Sequence, residues 1–296
     1  MILTAVRERE VLLRLALFGS LNTLQLQRFL LPEANRSPES KRVITKEVLG
    51  SLRDRGLVAA SAHLVGGPAG GSARLVYHLT EAGRRAAAGL DPTLRLRQQR
   101  RPSLLFVEHA LMCAEAALAF YEAAVSNHGH ELRDWVADWQ IAELLGSTKV
   151  VPDALLGYST RRWEFDAFVE IDRGSERPRR FGEKIAAYLD LYRRAAWRRH
   201  LRAWPLILTI AEDAPRANAL KRTAEDILRR QRDAPRLSRL EFDFAALPAL
   251  RGPEGPLGAI WQIAGRDGLQ RLIPGDTEKP GEDRRSATTG TVGADG

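Results

Sequence analysis

Residues 150–192 constrain the fold of this chain more than any other stretch. They read VVPDALLGY, a short turn, WEFDAFVEIDRG, a basic linker and FGEKIAAYLDLY. Residues 149–158 are rich in β-formers, and 157–162 contain the reversal. Residues 163–172 are then the partner strand. Its period of two places Val169 and Ile171 on one face and Phe168, Glu170 and Asp172 on the other. A hairpin centred near Thr160 brings Asp153 diagonally near Glu170. Two carboxylates on adjacent strands can share a hard divalent cation, with the Ile171 carbonyl between them. Asp153 and Glu170 are either strand-end acids facing solvent or candidate ligands of a magnesium ion, which would activate water and stabilise charge on a scissile phosphate. On the following helix Lys184 shares a stripe with Phe181, Ile185 and Tyr188. Either its amine points to the sheet edge, or the side chain snorkels to solvent.

Length and charge set the frame for that motif. The chain has 296 residues and 44% apolar residues, enough for two domains. Its formal charge of +8 favours a polyanionic partner, with nucleic acid ahead of an anionic membrane. Cys113 is the single cysteine, so no intrachain disulfide and no cysteine-based zinc site is expected. A reducing, cytoplasmic compartment fits. Charges interrupt the apolar pattern of residues 1–20, which argues against a signal peptide. No apolar run approaches a membrane span, and no membrane partner is expected. The chain lacks the G-x-x-x-x-G-K-[ST], H-E-x-x-H and G-x-S-x-G patterns, which removes support for P-loop, zincin and nucleophile-elbow chemistry.

The N-terminal third reads as three helices and a hairpin. Val11, Leu12, Leu15 and Phe18 recur at helical spacing. Asn22 or Thr23 can cap a second helix with Leu26, Phe29 and Leu30 on one face. Ser37 followed by Pro38 starts a third, with Ile44, Val48 and Leu52 as its apolar stripe. Lys41, Arg42, Thr45, Lys46 and Arg53 fall largely away from that stripe, forming a face suited to a DNA groove. Gly56 ends the helix. LVAASAHLV and ARLVYHLT are strand-like runs around a glycine-rich turn, with Arg74 just after it. The phrase "LRDRGLV … YHLTEAG" resembles bacterial winged helix-turn-helix domains. That resemblance implies a DNA-binding module, with residues 38–55 as recognition helix and 57–79 as wing.

Residues 91–103 are polar and basic and read as a linker or an exposed helix able to touch phosphate. An apolar helix follows, with Leu105, His109, Met112 and Ala116 at helical spacing and His109 in or beside the core. Trp135, Ala137 and Trp139 alternate as in a strand. Residues 206–210 read as a buried parallel strand. Residues 214–233 form a basic amphipathic helix with Leu220, Ala224, Ile227 and Leu228 inward. Residues 240–244 and 259–263 are candidate edge strands. The arginines around the central motif, Arg173, Arg179 and Arg180 among them, are candidate phosphate contacts. The C-terminal stretch is expected to be disordered.

Taken together, "VVPDALLGY", "FVEIDRGSE" and "KIAAYLDLY" after a winged helix resemble the bacterial replication-relaxation family, and more widely the PD-(D/E)XK nuclease superfamily. The resemblance implies an α+β chain, an N-terminal winged helix-turn-helix followed by an α/β restriction-endonuclease-like domain. The boundaries are 1–90 for the winged helix, 91–103 for the linker, 104–265 for the nuclease-like domain and 266–296 for the tail. It also implies a part in plasmid or mobile-element replication and relaxation, with double-stranded DNA as partner. A second copy of the chain and proteins of replication or mobilisation are further candidates. Asp153 and Glu170 match the two metal-binding acids of that pattern, and Asp172 and Lys184 complete the candidate catalytic set. Asp172 departs from the pattern, which has lysine there. Either Lys184 supplies the missing charge and the chain is a magnesium-dependent nicking endonuclease, or cleavage is lost and DNA binding kept. A winged-helix transcriptional regulator is the third reading.

Overall fold

Helix α1 (Ile2–Phe18) forms where Val11, Leu12, Leu15 and Phe18 share a face, and all four are buried. A computed structural model describes residues 2–32, 35–64, 73–92, 104–146, 148–174, 177–231, 240–273 and 290–291. The fold is α+β. It separates into two compact units, residues 1–118 and 119–296.

In the first unit a short strand β1 (Leu21–Asn22) leads into α2 (Thr23–Leu30). Asn22 caps α2 reciprocally with Gln25, satisfying two backbone donors at the helix start. Helix α3 (Pro38–Asp54) is capped by Ser37, whose hydroxyl accepts from the Ser40 amide, with Pro38 in the first turn. Strands β2 (Val58–Leu64) and β3 (Ala73–Leu79) pair antiparallel, and β1 pairs with the other side of β3. The turn at 65–72 lies outside the described residues.

Thr80 caps α4 (Glu81–Leu90) and its hydroxyl also bonds the Gly56 and Leu57 carbonyls. Gly56 turns the chain with φ +66°. At Gly83 a Cβ would collide with the Leu57 carbonyl oxygen. The phrase from Gly56 to Gly83 is therefore a close backbone crossing between the end of α3 and the start of α4.

Helix α5 (Leu104–Ser126) spans the division between units. Its buried face carries Val107, Leu111, Ala114 and Leu118. The expected stripe began at Leu105, which is instead exposed. Val107 and Leu111 pack with Val76, and Gln25 donates to the Leu111 carbonyl and to Glu115. Arg28 pairs with Glu115 at 2.7 Å. These contacts tie the first part of α5 to residues 1–90, so the division falls at 118/119 rather than at 104. Residues 93–103, most of the expected linker, lie outside the described residues.

The second unit is built on a mixed sheet. Its strands are β4 (Glu131–Ala137), β5 (Ala154–Ser159), β6 (Trp163–Asp172), β7 (Leu206–Ala211), β8 (Phe242–Ala246), β9 (Ala259–Ile263) and β10 (Gln270–Arg271). Among the described residues they lie in the order β10-β9-β8-β7-β6-β5-β4, and β11 (Gly290–Thr291) pairs with the start of β6. The expected hairpin is β5–β6, with Ser159 opposite Glu164. Strands β6, β7 and β8 run parallel. Parallel neighbours require crossovers, supplied by α7 (Pro178–Arg194) and α8 (Ala214–Arg229). Phe181, Ile185, Tyr188, Leu220 and Ala224 from these helices share one core with Phe168, Ile207, Phe242 and Phe244.

Three expectations change here. The strand read through Trp139 stops at Ala137, where α6 (Asp138–Leu145) begins. The Gln140 side chain accepts from the Ala137 amide, and Ile141 is drawn fully into the core. Strand β8 is not an edge, because β7 and β9 flank it. The fold also continues past 265, since Leu272 and Ile273 are buried beside β10. Residues 274–289 and 292–296 lie outside the described residues. A four-residue helix α9 (Leu247–Leu250) follows β8.

Candidate functional site

The register of the β5–β6 hairpin puts Ala154 opposite Val169, so Asp153 and Glu170 occupy the next pair outward. Asp153 Oδ2 accepts from the Ile171 amide at 2.8 Å. That bond ties the start of β5 to β6 through a side chain where the ladder has ended. Glu170 is 2% exposed and lies under α7. Lys184 Nζ donates to its Oε2 at 2.7 Å, and the Tyr188 hydroxyl donates to its Oε1. Lys184 and Tyr188 are four apart, so both meet one carboxylate from a single helix face.

Burial pushes the Glu170 carboxyl up to about 7, offset in part by the Lys184 charge and raised further by Asp153. Tyr188 is driven well above its ordinary range by burial and by the Glu170 charge. Both oxygens of Glu170 are engaged by protein donors.

Asp172 faces a different partner. Arg216, from the first turn of α8, grips it through two bonds of 2.7 and 2.9 Å, and the Gly174 amide donates to the same carboxylate at 2.8 Å. Asp172 is therefore separated from Glu170 in role, although the two share a face of β6. The matched arginine fork leaves the carboxylate neutralised in place. Sequence reasoning missed Arg216. Its only local signal is its place in the helix capped by Asp213, just after the strand parallel to β6. Tyr188 was legible as a stripe residue but not as a carboxylate donor.

An open cleft of about 670 Å³ lies at this end of the second unit, lined by Lys149, Asp153, Arg180, Glu183, Lys184 and Asp190 among others. It mixes three cations with three acids. The donor set for magnesium consists of Asp153 and Glu170, and among the described residues no group of three or more His, Cys, Asp or Glu is placed to hold a metal ion. Glu170 is held by Lys184 and Tyr188, so a magnesium ion shared with Asp153 would have to displace the Lys184 ammonium. Arg180 is exposed at the cleft, Arg179 is exposed and paired with Glu183, and Arg173 is half-buried.

In the first unit the candidate DNA-binding residues divide. Arg42, Lys46 and Arg53 are exposed on α3, and Lys41 is half-buried. Arg42 pairs with Glu39 at 2.7 Å on the surface, and that bond holds Glu39 below the usual carboxylate range. Thr45 is a correction. It is 1% exposed, and its hydroxyl donates to the Lys41 carbonyl at 2.8 Å. It lies on the side of α3 that carries Val48, Leu49 and Leu52, because four-residue spacing from Leu49 and three from Val48 returns to that face. Arg74 pairs through its backbone with His63 in the β2–β3 ladder, and its side chain lies outside the described residues. His109 is half-buried and sits 3.5 Å from the Cys113 sulfur, a contact within one turn of α5. Among the described residues no helix is long and apolar enough to cross a membrane.

The sequence model of the replication-relaxation family matches residues 12–207. The matched stretch contains α3, the β5–β6 hairpin and α7, and ends before Arg216. No curated protein and no solved structure gives a match.

Proposed function

Because the chain belongs to the replication-relaxation family, we propose that it is a DNA-binding protein of plasmid or mobile-element replication. In this reading residues 1–90 are a winged helix-turn-helix, α3 enters the major groove and the β2–β3 hairpin is the wing. The second unit is a nuclease-like core that does not cleave. The observation that carries the reading is α3 itself. One face is buried against its own unit, and Arg42, Lys46 and Arg53 are exposed along one flank of the outward side. A cationic face on an outward helix fits phosphate contact flanking a groove. The net charge of +8 agrees with it.

The loss of cleavage is argued from two ion pairs. Position 172 holds an acid where the nuclease pattern has lysine, and Arg216 neutralises that acid. Glu170 is committed to Lys184 and Tyr188. The alternative, a magnesium-dependent nicking enzyme, draws on Asp153 opening onto the cleft beside Lys184. It requires Glu170 to exchange Lys184 for metal.

Titration of the full chain against duplex DNA at several salt concentrations tests the reading. Lys46→Ala and Arg53→Ala should each weaken binding to all sequences alike and lower the salt slope by about one. Unchanged slopes in both variants would remove α3 from the interface.

A further inference from the structure

The outward face of α3 is not uniformly charged, and its uncharged centre is the informative part. Its outward midline runs Glu39, Val43, Gly50, Asp54, charged at both ends and uncharged only at Val43 and Gly50. Arg42, Lys46 and Arg53 lie toward one flank, and Glu47 toward the other. Between them sits Val43, 44% exposed, one of the large apolar side chains left in solvent. Val43 lines a shallow groove of about 370 Å³ with Arg42, Lys46 and Glu47.

Two turns on, Gly50 stands inside the helix on the same face. A Cβ built there would meet nothing within 4 Å. Among the described residues nothing packs there and the backbone is not left-handed, so neither requires a glycine, although glycine costs a helix interior stability. What glycine leaves on that face is room for something outside the chain to approach the helix backbone.

An exposed valine beside an open glycine, flanked by cations on one side, has the chemistry of base contact rather than of phosphate contact. Phosphate is held by charge, whereas the one apolar feature of the major groove is the thymine C5-methyl. Glu47 points the same way. A carboxylate repels phosphate but accepts from an exocyclic amino group, such as cytosine N4. Resting on the proposed DNA-binding role of α3, we infer that Val43 and Gly50 form its base-reading surface, with Val43 against a thymine methyl and Gly50 admitting the groove floor to the helix.

The test begins by selecting tight-binding duplexes from a randomised pool with the full chain. Thymines of the selected duplex are then replaced one at a time by deoxyuridine, which lacks only the methyl. One replacement should weaken the wild type about fourfold, corresponding to ~0.8 kcal/mol for one buried methyl. The same replacement should leave Val43→Ala unaffected. Val43 is exposed and a Cβ at Gly50 meets open space, so neither substitution disturbs the fold. Gly50→Ala should raise the melting temperature by a few degrees while weakening the selected duplex at least tenfold.

If every replacement costs wild type and Val43→Ala equally, or if Gly50→Ala binds as the wild type does, the assignment of these residues is wrong. Those results leave DNA binding by α3 intact. Failure of the wild-type chain to retain any duplex would instead overturn the proposed function, and this inference with it.

Discussion

Glu170 carries a pH dependence whose sign follows from its surroundings. Its carboxyl is held up to about 7 by burial, against an ordinary value of 4.5. Between those values the folded chain keeps a proton that the unfolded chain has released. Stability therefore rises as pH falls through about 7 to 4.5 and is lost as pH rises through the same window. In metal-free buffer, the stability of the wild type minus that of Glu170→Gln should fall by on the order of 3 kcal/mol from pH 4.5 to pH 7. A difference that stays flat across the window would show that Glu170 is not buried as described. Asp172 makes a separate prediction. Arg216→Ala strands a buried carboxylate and should cost about 3–5 kcal/mol in urea unfolding. The Asp172→Leu/Arg216→Met pair should cost less than Arg216→Ala alone. At this scale the sequence was legible where residues are neighbours along one element. Period two put Glu170 and Asp172 on one face, and helical spacing put Lys184 beside Tyr188. It was not legible where partners come from elsewhere. Thr45 looked like a polar member of an outward face, yet its hydroxyl folds back on the Lys41 carbonyl. The partner of Asp172, Arg216, reaches it from α8 across the β6–β7 pair, which spacing along the chain does not show.

The elements themselves were easier to read than their contacts. Helix α3 carries its start signal in Ser37-Pro38, and the strand at 163–172 carries its alternation openly. Helix α6 was missed because Trp135, Ala137 and Trp139 mimic a strand. The deciding forces, burial of Ile141 and the backbone bond to Gln140, are tertiary and local by turns. The crossing at Gly83 gives the sharpest test at this scale. Gly83→Ala drives a methyl into the Leu57 carbonyl and should destabilise the first unit by about 1–3 kcal/mol, more than a typical glycine-to-alanine change in a helix, which stabilises. Thr80→Ala, which only removes the cap and its bonds to Gly56 and Leu57, should cost about 1 kcal/mol. Thermal unfolding of both variants checks the order. If Gly83→Ala proves neutral, the two backbones are not as close as described.

For the whole molecule, a length sufficient for two units was legible, and the place of their division was not. Composition marked 91–103 as the break, but Gln25 and Arg28 of α2 bond the Leu111 carbonyl and the Glu115 carboxylate of α5. Family membership spans both units, so it links α3 and the β5–β6 hairpin within one matched stretch. In the proposed function the chain holds DNA while the second unit keeps Glu170 and Asp172 in structural ion pairs. The most direct measurement incubates supercoiled plasmid with the full chain and magnesium, and follows both gel mobility and plasmid topology. The Asp153→Asn/Glu170→Gln variant is run beside the wild type. The account predicts retarded plasmid that remains supercoiled with both proteins. Relaxed or linear plasmid from the wild type alone would contradict it in favour of a nicking enzyme, and plasmid retarded by neither protein would contradict it altogether.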